Sequence, residues 1–254
     1  MQFTLPLAFL EVLLLAAVRI TAFLVVAPPF SHGAIPLRIR GMLGVGLALA
    51  TTPGLLEGYR SLDTAGYLGA LLAELLAGAG MGFLVMLAFS AIQSAGNLID
   101  LFGGFSMAQG FDPQSMVNGA QFARLFHFAA LALLVSSDGY QLVLAGIYRS
   151  FSAIPLGAGL ALPAMAENLG ELLGSMFLAA VQIAGPLLVV LVLADLGLGL
   201  LTRAAPALNA FAMGFPLKIF ITLALAGTVF VVLPSVVSAL VGDGLSALPA
   251  VVPR

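Results

Sequence analysis

Three charged side chains, Arg19, Glu74 and Asp195, interrupt long apolar runs and are the residues best placed to do something other than pack. A charge at the centre of a bilayer costs about 2.5–3.5 kcal/mol on insertion scales, so each must face protein, water or an opposite charge. Two chemistries fit: an ion pair that fastens helices, or a proton relay, which needs several such groups in a chain. Glu11 lies two turns before Arg19, beyond the reach of an i, i+4 bridge, so the spacing sends Arg19 to a partner elsewhere.

Covalent chemistry has little to work with. His32 and His127 are the only histidines, no helical spacing joins them, and Cys is absent, so neither a metal site nor a thiol nucleophile is expected. Ser106 follows Gly104-Phe105 without the Gly-x-Ser-x-Gly turn of a hydrolase, and no Gly-rich phosphate loop ends in Lys. Asp243, between Gly242 and Gly244, reads as part of a turn. The residues point to a protein that is not an enzyme and needs no cofactor.

Two further features could carry function. Gln93, Asn97 and Asp100 fall at i, i+4 and i+7, one face of a helix, and that face continues upstream through Phe89, Met86, Gly82 and Gly78. Gly78 and Gly82 form a small-xxx-small pair suited to close helix approach. The stripe fits internal helix packing, a surface for partner subunits, or a solute or ion pathway. Downstream, the segment from Phe102 to Ser115 breaks the helical period with Gly103, Gly104, Gly110 and the turn-forming Asp112-Pro113, yet carries Phe105, Met107 and Phe111. Its apolar side chains suit either a flap across a pore, with Met and Phe as compliant seal material, or a loop dipping into lipid headgroups.

Helices must position all of these residues. Hydrophobic residues make up 61% of the 254 and charged residues only 8%, whereas an average soluble domain carries about 25% charged residues. With a mean hydropathy of +1.16, the chain cannot coat itself against water. The net charge of -2 and the lack of any basic run exclude a nucleic-acid partner. Trp is absent and only four Tyr remain for an interfacial belt. The start has no basic n-region and reads as a retained helix.

Six apolar stretches are expected as helices: Leu7 to Val26, Ile39 to Thr52, Ala65 to Leu101, Leu125 to Ile147, Leu172 to Leu201, and Phe211 to Leu240. The second is short for a span. The third would be about 55 Å long as one helix against about 30 Å of hydrocarbon, so it must tilt, break or project into protein. Residues 241–254 read as a flexible tail. The fold class is therefore all-α, a polytopic helical membrane protein. A small-solute transporter, with a broken segment at residues 101–124 and Asp100, Asp195 and Arg203 as ligands, is one functional reading; no inverted repeat supports it.

Four ordered blocks of sequence resemble the FliR family of flagellar export proteins. Ala27-Pro28-Pro29-Phe30-Ser31 with Ile35-Pro36-Leu37-Arg38-Ile39-Arg40 is similar to its first loop. Gln93-Ser94-Ala95-Gly96-Asn97-Leu98-Ile99-Asp100, running into Gly104-Phe105-Ser106-Met107-Ala108 and Asp112-Pro113-Gln114-Ser115, resembles its central signature. Ser150-Phe151 with Ile154-Pro155-Leu156-Gly157 follows. Thr202-Arg203-Ala204-Ala205-Pro206, Asn209 and Gly214-Phe215-Pro216-Leu217-Lys218 resemble its C-terminal block, with a departure at Ala207, where Gln is commoner.

The resemblance implies one export-gate domain over residues 1–254, built of helical hairpins stacked as one layer of a larger assembly with FliP, FliQ and FlhB. That assembly lies in the bacterial inner membrane at the flagellar basal body and passes unfolded flagellar proteins. The implied plug is Gly103, Gly104, Phe105, Ser106, Met107, Gly110, Phe111, Asp112, Pro113, Gln114 and Ser115. Packing between helices or subunits is expected at Arg19, Gly78, Gly82, Gln93, Asn97, Asp100, Asp195, Arg203, Pro206 and Asn209. The virulence-type injectisome homologue shares this pattern; the C-terminal block leans toward the flagellar form.

Overall fold

The structure, a computed structural model, describes residues 6–105, 120–158, 162–205 and 210–246, with the side chains of 162–169, 210–212, 232 and 237–246 left aside. Every regular element among the described residues is an α-helix: α1 Leu7–Val26, α2 Leu37–Leu55, α3 Thr64–Phe102, α4 Gln121–Ser136, α5 Gly139–Ala153, α6 Leu162–Ala204 and α7 Ala210–Ser246.

Proline sets several of the boundaries. Pro6 and Pro36 precede α1 and α2 with ψ of 138° and 146°, extended values from which the chain turns into the helix. A residue before proline is pushed out of the α region. Accordingly α1 stops at Ala27, before Pro28, and α5 stops at Ile154, before Pro155, each with an extended ψ (125° and 94°). Pro186 in α6 and Pro216 and Pro234 in α7 are carried inside helices. Each removes one backbone donor, a loss that membrane helices tolerate when neighbours re-satisfy the freed carbonyl.

Three expectations are corrected. The fourth apolar stretch is two helices, because Asp138 takes the left-handed region at φ 57° between Ser136 and Gly139; a short polar side chain tolerates that conformation where a branched one would not. α6 begins at Leu162, about three turns before the apolar run at Leu172, since Glu167 and Glu171 disfavour lipid but not helix. α7 continues to Ser246, so residues 241–246 are helical where a tail was expected. The overlong third stretch resolves as one unbroken helix of 39 residues.

The chain divides into two compact units. The first comprises residues 1–88, 137–172 and 240–254, and α1 is its centre. Leu15, Ile20, Phe23 and Leu24 of α1 are buried with Ala77 and Met81 of α3 and Val143 and Ile147 of α5. Glycines let the backbones close up: a Cβ on Gly44 of α2 would stand 2.0 Å from Thr21 Oγ1, and one on Gly78 of α3 would stand 2.1 Å from the Arg19 carbonyl. Gly82 repeats the approach one turn on, 2.9 Å from the Phe23 carbonyl.

The second unit comprises residues 89–136 and 173–239. Here α3 and α4 cross at Gly96, where a Cβ would lie 2.5 Å from Ala123 Cα. Edge-to-face rings run from Phe105 through Phe122 and Phe126 to Phe230, with centroids 5.2, 6.1 and 5.5 Å apart, inside the range where such pairs attract. α6 buries Ala180, Ala184, Leu187 and Leu191, and α7 buries Thr222, Ala226, Val229 and Leu233, each at helical spacing. Among the described residues, four helices are long and apolar enough to cross a membrane, or five if α4 and α5 together make one span.

Candidate functional site

Two buried polar clusters stand out, one in each unit. In the first, Arg19 is wholly buried and Glu74 is 1% exposed, and Arg19 Nε donates to Glu74 Oε2. Arg19 Nη1 donates to the Ile154 carbonyl at 2.9 Å, the Ser150 carbonyl at 3.2 Å and Ser150 Oγ at 3.4 Å. The guanidinium carbon lies 4.5 Å from the centre of the Phe151 ring, a cation–π contact. Glu74 Oε1 accepts from the Gly157 N–H at 3.0 Å.

One ion pair thus meets two kinds of orphaned backbone group. Its cation satisfies carbonyls at the C-terminal end of α5, where the helix dipole is negative, and its anion satisfies an amide in the turn that follows. Gly157 sits in that turn at φ 75°, a conformation that favours glycine. These partners fasten α1, α3 and α5. A relay would need further titratable groups in hydrogen-bond reach, and the described partners supply a hydroxyl, an amide and carbonyls.

In the second unit, Asp100 is 3% exposed near the end of α3, and its carboxylate accepts from the Phe122 N–H and the Ala123 N–H, both at 3.0 Å. Those are first-turn donors of α4, so Asp100 caps a helix that begins more than twenty residues later. Gly103 sits where a Cβ would be 2.8 Å from Thr222 Oγ1, and Gly104, at φ 83°, faces Phe215. Phe105 closes on Phe122. The end of α3, the start of α4 and the first half of α7 therefore meet around the point where the central segment leaves and returns.

The remaining expected residues are scattered. Gln93 and Asn97 are exposed, so the stripe is not uniformly buried: Gly78 and Gly82 abut α1, and Asp100 is bound to α4. Asp195 is paired with Lys218 at 2.6 Å, at 46% and 19% side-chain exposure, and Arg203 is exposed. Ser106, Met107, Gly110, Phe111, Asp112, Pro113, Gln114, Ser115, Pro206 and Asn209 lie outside the described residues. Sequence reasoning missed Ser150, Gly157, Thr222 and Lys218 as partners. The Ile154-Pro155-Leu156-Gly157 turn was the one available signal for the first cluster.

A smaller polar contact ties the first half of α1 to the turn that follows α2 in the first unit. Tyr59 Oη donates to Glu11 Oε2 at 3.1 Å. Burial, then the bond to Glu11 and its charge, push the Tyr59 phenol up from 10.0 to about 12. Among the described residues, no three His, Cys, Asp or Glu side chains converge as metal ligands.

The profile of the family described as Bacterial export proteins, family 1, matches residues 10–244 of the chain. The chain belongs to that family. Members similar to it include the flagellar biosynthetic protein FliR of Bacillus subtilis, 32% identical over 216 residues and 82% of each chain. FliR of Pectobacterium carotovorum is 30% identical over 217 residues, 85% of this chain and 83% of its own. The surface presentation of antigens protein SpaR of Shigella flexneri is 27% identical over 161 residues, 62% of each chain. Both buried clusters lie inside the matched span, as does the whole central segment.

Proposed function

We propose that this FliR-family chain is a core subunit of the flagellar type III protein export gate. It forms part of a channel in the inner membrane, at the flagellar basal body, through which unfolded flagellar proteins cross. FliP and FliQ, with FlhB, are its partners, and residues 103–115 plug the channel at rest.

The observation that carries this reading is the bond pattern of Asp100. By gripping Phe122 and Ala123, it brings both ends of the intervening segment to one buried point. A segment tethered at both ends, rich in Phe and Met and hinged by Gly104 at φ 83°, suits a plug that swings without being lost. Similarity to FliR of three bacteria over about four-fifths of the chain supports the flagellar role over the injectisome role, for which the SpaR match is shorter. A solute transporter is disfavoured, because Asp100 is occupied by backbone amides and Asp195 by Lys218.

Removing residues 106–115 from the assembled complex tests the plug. The expected result is a leak of small ions through complexes reconstituted in planar bilayers. Conductance equal to that of the intact complex would overturn the assignment.

A further inference from the structure

In the first unit, the buried ion pair carries more donors than the acceptors around it serve. Arg19 Nε donates to Glu74 Oε2, and Nη1 is shared among the Ile154 carbonyl and both oxygens of Ser150. Nη2 is buried and meets no acceptor among the described residues. Turning the side chain cannot cure this, because the guanidinium is held at Glu74, at Ser150 and Ile154, and against the Phe151 ring 4.5 Å away. Arg40 Nε and Tyr67 Oη lack a protein partner too, but each belongs to a side chain that is partly exposed, whereas Arg19 is wholly buried. A charged donor left dry at such depth is costly.

The geometry explains why Nη2 is left over and what can serve it. Nε and Nη2 share one edge of the planar guanidinium, the edge on which a carboxylate can close two parallel bonds. Glu74 closes one, because its other oxygen, Oε1, accepts from the Gly157 N–H at 3.0 Å, in a turn set by the φ of 75° at Gly157. The occupant must accept, since Nη2 only donates. An anion is disfavoured: Arg19 and Glu74 already cancel, and a further negative charge would lie buried without a partner. A side chain of another polypeptide cannot reach an atom that this chain's own residues cover. The hydroxyl of the cluster, Ser150 Oγ, is engaged, donating to the Ile147 carbonyl at 2.6 Å and accepting from Nη1. What fits is neutral, one heavy atom in size, and able to donate onward. We infer that the Arg19–Glu74 pair holds an ordered water molecule, which accepts from Nη2 and donates to the Glu74 carboxylate. Each Glu74 oxygen accepts one bond from the described residues, so lone pairs remain for it. The Ile154 carbonyl is a further acceptor, which brings the water to the about three bonds usual at buried sites. Through it, one carboxylate serves both α1 and the turn after α5. The inference is independent of the export-gate reading and involves no residue of the central segment.

Radiolytic footprinting of the assembled complex in isotopically labelled water tests it, because hydroxyl radicals formed at a bound water oxidise the ring beside it even where bulk water is excluded. Phe151, over the guanidinium, is the reporter. Phe126, wholly buried with aromatic rings on two sides, is the control. Phe151 is expected to take up label about tenfold faster than Phe126, as a ring next to an ordered water should. In the double variant Arg19→Met with Glu74→Leu, which leaves nothing polar for the water to bind, the Phe151 rate should fall to that of Phe126. Equal rates for the two rings in the unaltered complex overturn the site. So does fast labelling of Phe151 that persists in the double variant, which would mean entry of bulk water. Cryo-electron microscopy of the unaltered complex covers the case in which the double variant does not assemble. A density peak within hydrogen-bond reach of both Nη2 and Glu74, about 2.7–3.2 Å from each, is expected. A direct bond from Nη2 to Glu74 with no peak beside it overturns the inference. A gate that stays tight without residues 106–115 sinks the plug and leaves this water site standing, because neither readout involves ion flux.

Discussion

Arg19 shows how one residue can be costly alone and useful in company. Removing its charge by Arg19→Met leaves the Glu74 carboxylate buried and unpaired, which is expected to destabilise the first unit by about 3–5 kcal/mol. The double variant Arg19→Met with Glu74→Leu is expected to recover most of that loss, because both desolvated charges go together. Thermal unfolding in detergent reads the outcome; a double variant no better than the single one would mean that the pair is not coupled. Asp100→Ala removes a cap, an effect of about 1 kcal/mol and up to 2, and amide exchange at Phe122 and Ala123 should accelerate with it. Asp100→Asn should fall between, since its one carbonyl oxygen still accepts. Tyr59 acts on pH. A phenol held at about 12 when folded, against 10.0 ordinarily, contributes stability that is complete below pH 10 and fades as pH climbs toward 12. Tyr59→Phe is expected to flatten that alkaline limb of the stability curve. The need for partners at Arg19 and Glu74 was legible in the sequence, because apolar runs surround them. Their pairing was not, since 55 residues separate them and nothing local records which helices meet.

At the scale of elements, the sequence was most informative where it punctuates itself. α1 ends where Pro28 demands, and α3 spans nearly the apolar run read for it. The break between α4 and α5 was hidden, because apolar residues continue on both sides and only Asp138 marks the left-handed turn. The extra turns of α6 were hidden for the opposite reason: hydropathy marks where a helix suits lipid, not where it starts. Small residues were a better guide to how elements pack. Gly78 was singled out as a close-approach position, and its missing Cβ would meet the Arg19 carbonyl at 2.1 Å. Gly78→Leu must therefore push α3 off α1 and strain the Arg19–Glu74 contact, with an expected loss of about 1–3 kcal/mol or more. Gly69, with nothing within 4 Å of its added Cβ, is the control: Gly69→Ala should be neutral or stabilising, as expected for a glycine inside a helix. Comparing the two melts separates packing from helix propensity.

For the molecule as a whole, composition announces an excess of apolar surface but not which helices carry it outward, because all the long ones are similarly apolar. The structure divides them. In their most apolar windows, α1 and α3 are 50% and 56% buried, whereas α6 and α7 are each 22% buried. The first pair forms core within the chain, and the second offers its surface to lipid or to other subunits. That makes the charge on α6 anomalous: Asp195 lies between exposed Leu193 and Leu196 and is itself 46% exposed. Water would make such a residue unremarkable, but an apolar surround makes Lys218, 2.6 Å away on α7, the condition for its presence. Lys218→Met is then expected to weaken insertion of α6, by up to about 2.5–3.5 kcal/mol if Asp195 sits near mid-bilayer. Adding Asp195→Leu should restore insertion, because the replaced pair becomes continuous with its apolar neighbours. A glycosylation-reporter assay on α6 in the full chain measures both variants. Equal insertion of wild type and Lys218→Met would mean that this side of α6 meets water, and would remove the outward faces of α6 and α7 from the membrane-facing surface.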